Sequence, residues 1–122
     1  MNGVVPRQYT YSFRTGVVTT DNERLANVLY NINQIDAKLT QSFEDAAGDA
    51  FFLLIDAKIN LEDFARENGL TSQSAVVENA LDKAAEAVKN ADTLADLESM
   101  YLMLLETVPV LQNLSDEADG EN

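Results

Sequence analysis

The sequence predicts a mostly α-helical fold: an antiparallel bundle of about four helices preceded by a short β-like N-terminal arm or hairpin. Apolar residues recur at steps of three and four along most of the chain, which places them on one face of a helix. The first twenty residues instead alternate apolar and polar side chains, as a strand does. The connections between helical patterns are short, which favours antiparallel neighbours. We therefore expect an extended arm over residues 1–20, a helical bundle over 21–114 and a disordered acidic tail over 115–122.

The predicted arm has one apolar face. Tyr9, Tyr11 and Phe13 alternate with polar residues, and a β-branched run follows Gly16. A two-stranded hairpin alone is marginal in water. We therefore expect the arm either to pack on the helices or to add to the sheet of another chain.

The next two predicted helices lie between residues 21 and 69. The first begins near residues 20–22, among which Asn22 is a good N-cap residue, and Gly48 marks a break or a weak point after it. The second ends at Gly69, which suits a left-handed C-cap. A separate helix beginning at Asn60 is an alternative, but we favour one continuous helix. The first stripe comprises Leu25, Val28, Ile32, Ile35, Leu39 and Phe43, and the second comprises Ala50, Leu54, Ala57, Leu61 and Phe64.

The last two predicted helices have clear boundaries. The third begins between Thr71 and Ser74 and ends near residue 90. The fourth begins after Thr93, with which Asp96 forms an acidic capping box. Pro109 ends or kinks that helix, because its ring clashes with the preceding turn. Beyond residue 114 the chain has no large apolar side chain, so we expect disorder there.

The composition makes most enzymatic chemistries improbable. The chain contains no histidine and no cysteine, so it lacks the commonest general base, a thiolate nucleophile and the usual zinc ligands. It also lacks phosphate-binding glycine motifs and the glycine-flanked serine of hydrolases. We therefore expect a non-enzymatic protein without a cofactor or a metal. No apolar run approaches the ~20 residues that cross a bilayer, and no secretory signal is present, so a cytoplasmic location is expected.

The net charge of −13 limits the class of partner. Nucleic acids and anionic membranes bind basic surfaces, so direct binding to either is disfavoured. We expect the partner to be another protein with a basic or an apolar surface, and a homo-oligomer is a further option.

The fourth helix carries more apolar residues than one stripe needs. Six consecutive apolar residues occupy positions 100–105, within the stripe formed by Leu94, Leu97, Tyr101, Leu104, Val108 and Leu111. Such a helix is either central in the core or keeps one face for a partner or a second copy. We favour the core, and we retain Met100, Tyr101 and Met103 as candidates for an adaptable binding surface.

Two further patterns are candidate binding surfaces. On the first helix an amide-rich stripe with little charge lies beside Tyr30, and interface cores are depleted in charge; the stripe comprises Asn27, Asn31, Gln34, Lys38 and Gln41. On the third helix Glu78, Asp82 and Glu86 form an acidic ridge at steps of four, which could imitate the phosphates of a nucleic acid. An ordinary solvated face is the alternative explanation of each pattern, and two lysines lie close to the acidic ridge.

Three functions are compatible with these observations. The first is an acidic protein–protein interaction module that acts as a regulator, an inhibitor or an assembly adaptor. The second is a nucleic-acid mimic that inhibits a DNA- or RNA-binding protein. The third is a small structural subunit of a larger assembly, tied to its neighbours by the arm.

Overall fold

The computed structural model describes residues 8–119 and confirms the predicted fold class, a mostly α bundle preceded by a β hairpin. The strands β1 and β2 are antiparallel and pair from Tyr9↔Thr20 to Phe13↔Gly16. The elements in chain order are β1 (Tyr9–Phe13), β2 (Gly16–Thr20), α1 (Glu23–Lys38), α2 (Phe43–Asn68), α3 (Thr71–Asn90), α4 (Leu94–Leu105) and α5 (Val108–Asp119).

One hydrophobic core joins the helices and the hairpin. Helix α1 packs on α2 and α4, α2 packs on α3, and α3 packs on α4. The predicted stripes supply the buried side chains, and the hairpin adds Phe13 and Val18 to the same core. The largest fully buried side chains include Tyr101, Phe64, Leu25, Ile32, Leu54, Leu81 and Leu97.

The predicted helix ends at Asn22, Gly69 and Thr93 are confirmed. The Asn22 side chain accepts a hydrogen bond from the Leu25 N–H, which satisfies one of the free donors at the start of α1. Gly69 has a φ of 67°, the left-handed conformation that a glycine adopts without strain. At the start of α4, Thr93 and Asp96 bond to each other's backbone N–H groups at 3.2 Å, which forms the predicted capping box.

The predicted break at Gly48 is wrong, because the chain turns at residues 39–42 instead. Ser42 caps α2 by accepting a hydrogen bond from the Asp45 N–H, so Phe43 begins α2 rather than extending the first stripe. A glycine inside a helix costs about 1 kcal/mol, and burial of the neighbouring Ala46 and Ala50 offsets this cost. Helix α2 continues through residue 60, which confirms the single-helix interpretation.

Residues 115–119, expected to be disordered, are the second half of α5. Small side chains pack well at this position: Ser115 is buried, and its hydroxyl lies 2.6 Å from the Thr20 hydroxyl of β2. Ala118 is partly buried against the same core. Pro109 follows the predicted break in the fourth helix and stands in the first turn of α5. A missing backbone donor is tolerated in the first turn of a helix. The remainder of the predicted tail, 120–122, lies outside the described residues.

Candidate protein-binding surface

Helix α4 divides its surplus apolar residues between the core and the solvent. Met100, Tyr101, Leu104 and Leu105 are buried. Leu102 and Met103 point outwards and keep 46% and 63% of their surface exposed. We call these two exposed residues the α4 ridge. Part of the run therefore lies in the core and part at the surface, and of the three residues proposed for an adaptable surface only Met103 is accessible.

A groove runs beside the α4 ridge, between α3 and the turn at residues 106–107 that joins α4 to α5, which we call the α4–α5 corner. It has a volume of about 430 Å³. Three alanines of α3 are among its lining residues, and their small side chains leave space between the helices. Lys83 and Glu106 are its charged lining residues. We call this space the α3–α4 groove; its apolar lining includes Val76, Ala80, Ala84, Ala87, Met103 and Val110.

A second, more open groove of about 530 Å³ lies on the other side of the α4 ridge. It separates the hairpin from the α4–α5 corner and is lined by Val17, Leu102 and Pro109. Glu106 lines both grooves, so the two are adjacent across the α4 ridge. The exposed apolar residues of α4 therefore stand between two concave surfaces that contain little charge.

The hairpin is fixed to its own bundle by Arg14. The Arg14 guanidinium bonds to Asp36 of α1 at 2.7 Å and to Glu98 of α4 at 2.9 Å. These hydrogen bonds, that to Asp36 first, raise the pKa of Arg14. The same guanidinium lies 5.1 Å from the centre of the Tyr101 ring, in cation–π geometry. The acidic groups that Arg14 meets thus belong to its own chain.

The other hairpin contacts also lie within the chain. The Gln112 side chain of α5 donates to the Thr19 carbonyl at 3.1 Å and accepts from the Thr19 N–H at 3.3 Å. Phe13 is buried, whereas Tyr9 and Tyr11 are half-buried, and Tyr11 contacts Tyr30 edge-on. Of the two alternatives for the arm, packing on the helices is therefore the observed one for residues 8–20.

Tyr101 is fully buried beneath this contact. Its hydroxyl has no hydrogen-bond partner among the described residues. Burial, followed by the negative charge of Asp36, raises the pKa of Tyr101 to about 12. The folded protein therefore retains the hydroxyl proton at a pH where the unfolded chain has released it.

We expect this tyrosine to make the protein sensitive to alkali. The stabilising effect of the retained proton is complete below pH 10 and disappears as the pH rises through the folded-state value of about 12. Urea unfolding between pH 8 and pH 12 measures the effect, and Tyr101→Phe should lose stability less steeply above pH 10 than the native chain. Equal slopes for the two proteins would contradict this expectation.

The amide stripe of α1 lies partly against α2, whereas Asn27 stays exposed. Asn31 is buried and donates to the Leu53 carbonyl at 3.1 Å and to Asp56 at 2.9 Å. Asn27 donates to Asn60 at 3.2 Å. These bonds satisfy polar groups at the α1–α2 contact, so Asn31 is inaccessible to a partner. Gln34 is half-buried, and Tyr30 remains partly exposed.

The acidic ridge of α3 is partly neutralised by its neighbours. Lys58 of α2 bonds to both oxygens of Asp82, at 2.8 and 3.0 Å. Lys89 lies 4.0 Å from Glu86. Burial, followed by the charge of Glu62, raises the pKa of Glu78. The three carboxylates are therefore not a uniform row of free charges like that of a phosphate backbone.

Sequence reasoning missed an exposed apolar stripe on α2, formed by Phe52, Ile55 and Ile59. These residues follow helical spacing of three and four on the face opposite the buried stripe of the same helix. A search for a second stripe in α2 would have found them.

No protein-family model, curated protein or solved structure matches the chain significantly. Within residues 8–119, no group of three or more acidic side chains has an arrangement that could hold a metal ion. No helix in this range combines the length and the apolar composition that crossing a membrane requires.

Proposed function

We propose that this chain is a non-enzymatic protein–protein interaction module of the cytoplasm. Its binding surface is the α4 ridge together with the α3–α4 groove. Its ligand is an amphipathic helix of a partner protein that carries apolar residues on one face and basic residues around them. The observation that carries the proposal is the exposure of Leu102 and Met103 directly beside an apolar groove.

The geometry suits recognition of a helix in a groove. Such ligands insert side chains at positions i, i+3, i+4 and i+7 into an apolar channel. Met103 stands at the rim of the α3–α4 groove, and the flexible thioether of methionine adapts to different apolar shapes. The groove lies between helices that are already packed together, so few groups of the module have to become ordered on binding, and the entropic cost of binding is low.

The net charge of the chain indicates which residues should flank the apolar face of the ligand. The chain has 21 acidic and 8 basic residues, so a basic partner is attracted at long range. The groove itself is lined by one base, Lys83, and one acid, Glu106. We therefore expect apolar contacts to supply the affinity and basic flanks to accelerate association.

Titration of the protein with a peptide, monitored by nuclear magnetic resonance, tests this proposal. The probe is a synthetic 18-residue peptide of leucine and lysine with leucines at helical spacing, and the control peptide has the same composition in scrambled order. The helical peptide should shift the methyl signals of Val76, Met103 and Val110, whereas the scrambled peptide should not. Equal shifts for both peptides, or shifts restricted to acidic surface residues, would refute the proposed binding surface.

The mimic hypothesis predicts a different sensitivity to charge. Asp82 is already paired with Lys58, and an exposed ion pair contributes only about 0–1 kcal/mol. We therefore expect the Asp82→Lys variant to capture the same partner from a host lysate as the native chain captures. Raising the salt concentration should weaken capture only modestly. Complete loss of capture in Asp82→Lys, or its collapse at moderate salt, would instead support a nucleic-acid mimic.

A further inference from the structure

The exposed stripe of α2 points away from the bundle core. Phe52 is 72% exposed, Ile55 42% and Ile59 52%, although helix α2 buries Leu54 and Leu61 on its opposite face. Large apolar side chains that lie together at a surface mark an interaction site. The same face continues towards both ends of α2 at steps of three and four: Asp45, Gly48, Phe52, Ile55, Ile59, Glu62 and Arg66. We call these seven residues the α2 stripe.

The acidic residues beside the α2 stripe have partners within the chain. Asp49 lies 3.7 Å from Lys38, Asp56 accepts hydrogen bonds from the side chains of two asparagines, and Asp63 pairs with Arg24 and Arg66. The lysine and arginine contacts of Asp49 and Asp63 reduce the charge that would oppose another acidic chain at this face, whereas the asparagine amides hold the Asp56 carboxylate without neutralising it. The apolar centre is therefore suited to a protein surface of similar character.

The order of residues along the α2 stripe favours a second copy of the chain in the antiparallel direction. We propose that the α2 stripe pairs with itself about a two-fold axis beside Ile55. This axis places Phe52 against Ile59 of the second copy and the two Ile55 side chains against each other. It also places Asp45 near Arg66 of the second copy at both ends of the contact, and opposite charges attract there.

A parallel pair would lack this complementarity. It would bring the two Asp45 carboxylates together at one end and the two Arg66 guanidinium groups together at the other. The Arg66 side chain is 65% exposed, so it can reach a neighbouring helix although it already contacts Asp63. Gly48 has nothing within 4 Å of the position a β-carbon would take, which leaves room for the residues opposite it.

The association is weak. Three apolar side chains per copy form a smaller contact than permanent dimers have, and small interfaces belong to transient complexes. The net charge of −13 on each copy adds repulsion at long range. For such a small contact we expect a dissociation constant on the order of 10–100 μM.

Sedimentation equilibrium of the full chain at 150 mM salt tests the dimer. The native chain should change from monomer to dimer over this concentration range, and Ile55→Glu should stay monomeric because it brings two carboxylates together. Val17→Glu is the matched control: it adds the same charge at a position that is 64% exposed and lies outside both the α2 stripe and the α3–α4 groove, and it should still dimerise. A native chain that stays monomeric at 500 μM, or an Ile55→Glu chain that dimerises like the native one, would overturn the proposal.

Cysteine cross-linking tests the direction of the pair, because the native chain contains no cysteine. On oxidation, a mixture of Phe52→Cys and Ile59→Cys chains should give a mixed disulfide dimer, whereas each chain alone should cross-link poorly. Efficient cross-linking of each chain with itself would indicate a parallel pair and overturn the antiparallel arrangement. The α2 stripe and the α4 ridge share no residue, so failure of the dimer leaves the proposed function untouched.

Discussion

Replacement of Tyr101 by alanine should cost about 3–5 kcal/mol of unfolding free energy, the usual range when a large aromatic side chain is removed from a core. Tyr101 is the largest side chain that is fully buried. It also supports the Arg14 contact that fixes the hairpin to α1 and α4. The truncation therefore leaves a cavity and removes the surface against which the guanidinium packs. Urea unfolding at pH 7, followed by circular dichroism, measures the loss.

Tyr101→Phe is the control for this prediction, because it keeps the ring and removes only the hydroxyl. That hydroxyl is buried without a hydrogen-bond partner among the described residues, and an unsatisfied buried polar group destabilises a protein. Tyr101→Phe should therefore lose far less stability than Tyr101→Ala at pH 7. A loss of less than 1 kcal/mol for Tyr101→Ala would contradict the role assigned to the ring.

The sequence was sufficient for the features that depend on neighbouring residues. The caps at Asn22 and Thr93 and the left-handed turn at Gly69 follow from hydrogen bonds and backbone geometry within a few residues. The apolar stripes predicted the core because helical spacing determines which side chains share a face. The Gly48 prediction was wrong because it weighted one helix-breaking residue above the capping potential of Ser42.

The candidate surface depends on contacts that a single sequence does not specify. The spacing of Asn27 and Asn31 identified a polar stripe, but only the position of α2 makes that stripe a helix–helix contact. In the same way, the run at positions 100–105 could not indicate that Leu102 and Met103 alone remain exposed. The C-terminal half of α5 contacts the hairpin through a hydrogen bond between Ser115 and Thr20, which are 95 residues apart, so the sequence near residue 115 does not indicate it.

Met103→Asp should weaken binding of the helical leucine–lysine peptide by about 30-fold, the size expected when a central interface residue is lost. An aspartate at this position would be buried by the ligand without a partner of fixed geometry, and burial of an unpaired carboxylate is costly. The free protein should fold normally, because Met103 is 63% exposed and surface substitutions change stability by about 0.5 kcal/mol or less. Isothermal titration calorimetry gives the affinity, and circular dichroism verifies the fold.

Phe52→Asp provides the matched control, since it introduces the same charge at an even more exposed apolar residue on a different helix. At concentrations below those of self-association, Phe52→Asp should bind the peptide with native affinity. If both substitutions weaken binding equally, a general attraction of the peptide to exposed apolar residues is responsible, and the α4 ridge is not the site. If only Met103→Asp weakens binding, the affinity depends on the apolar contact that α4 makes beside the groove.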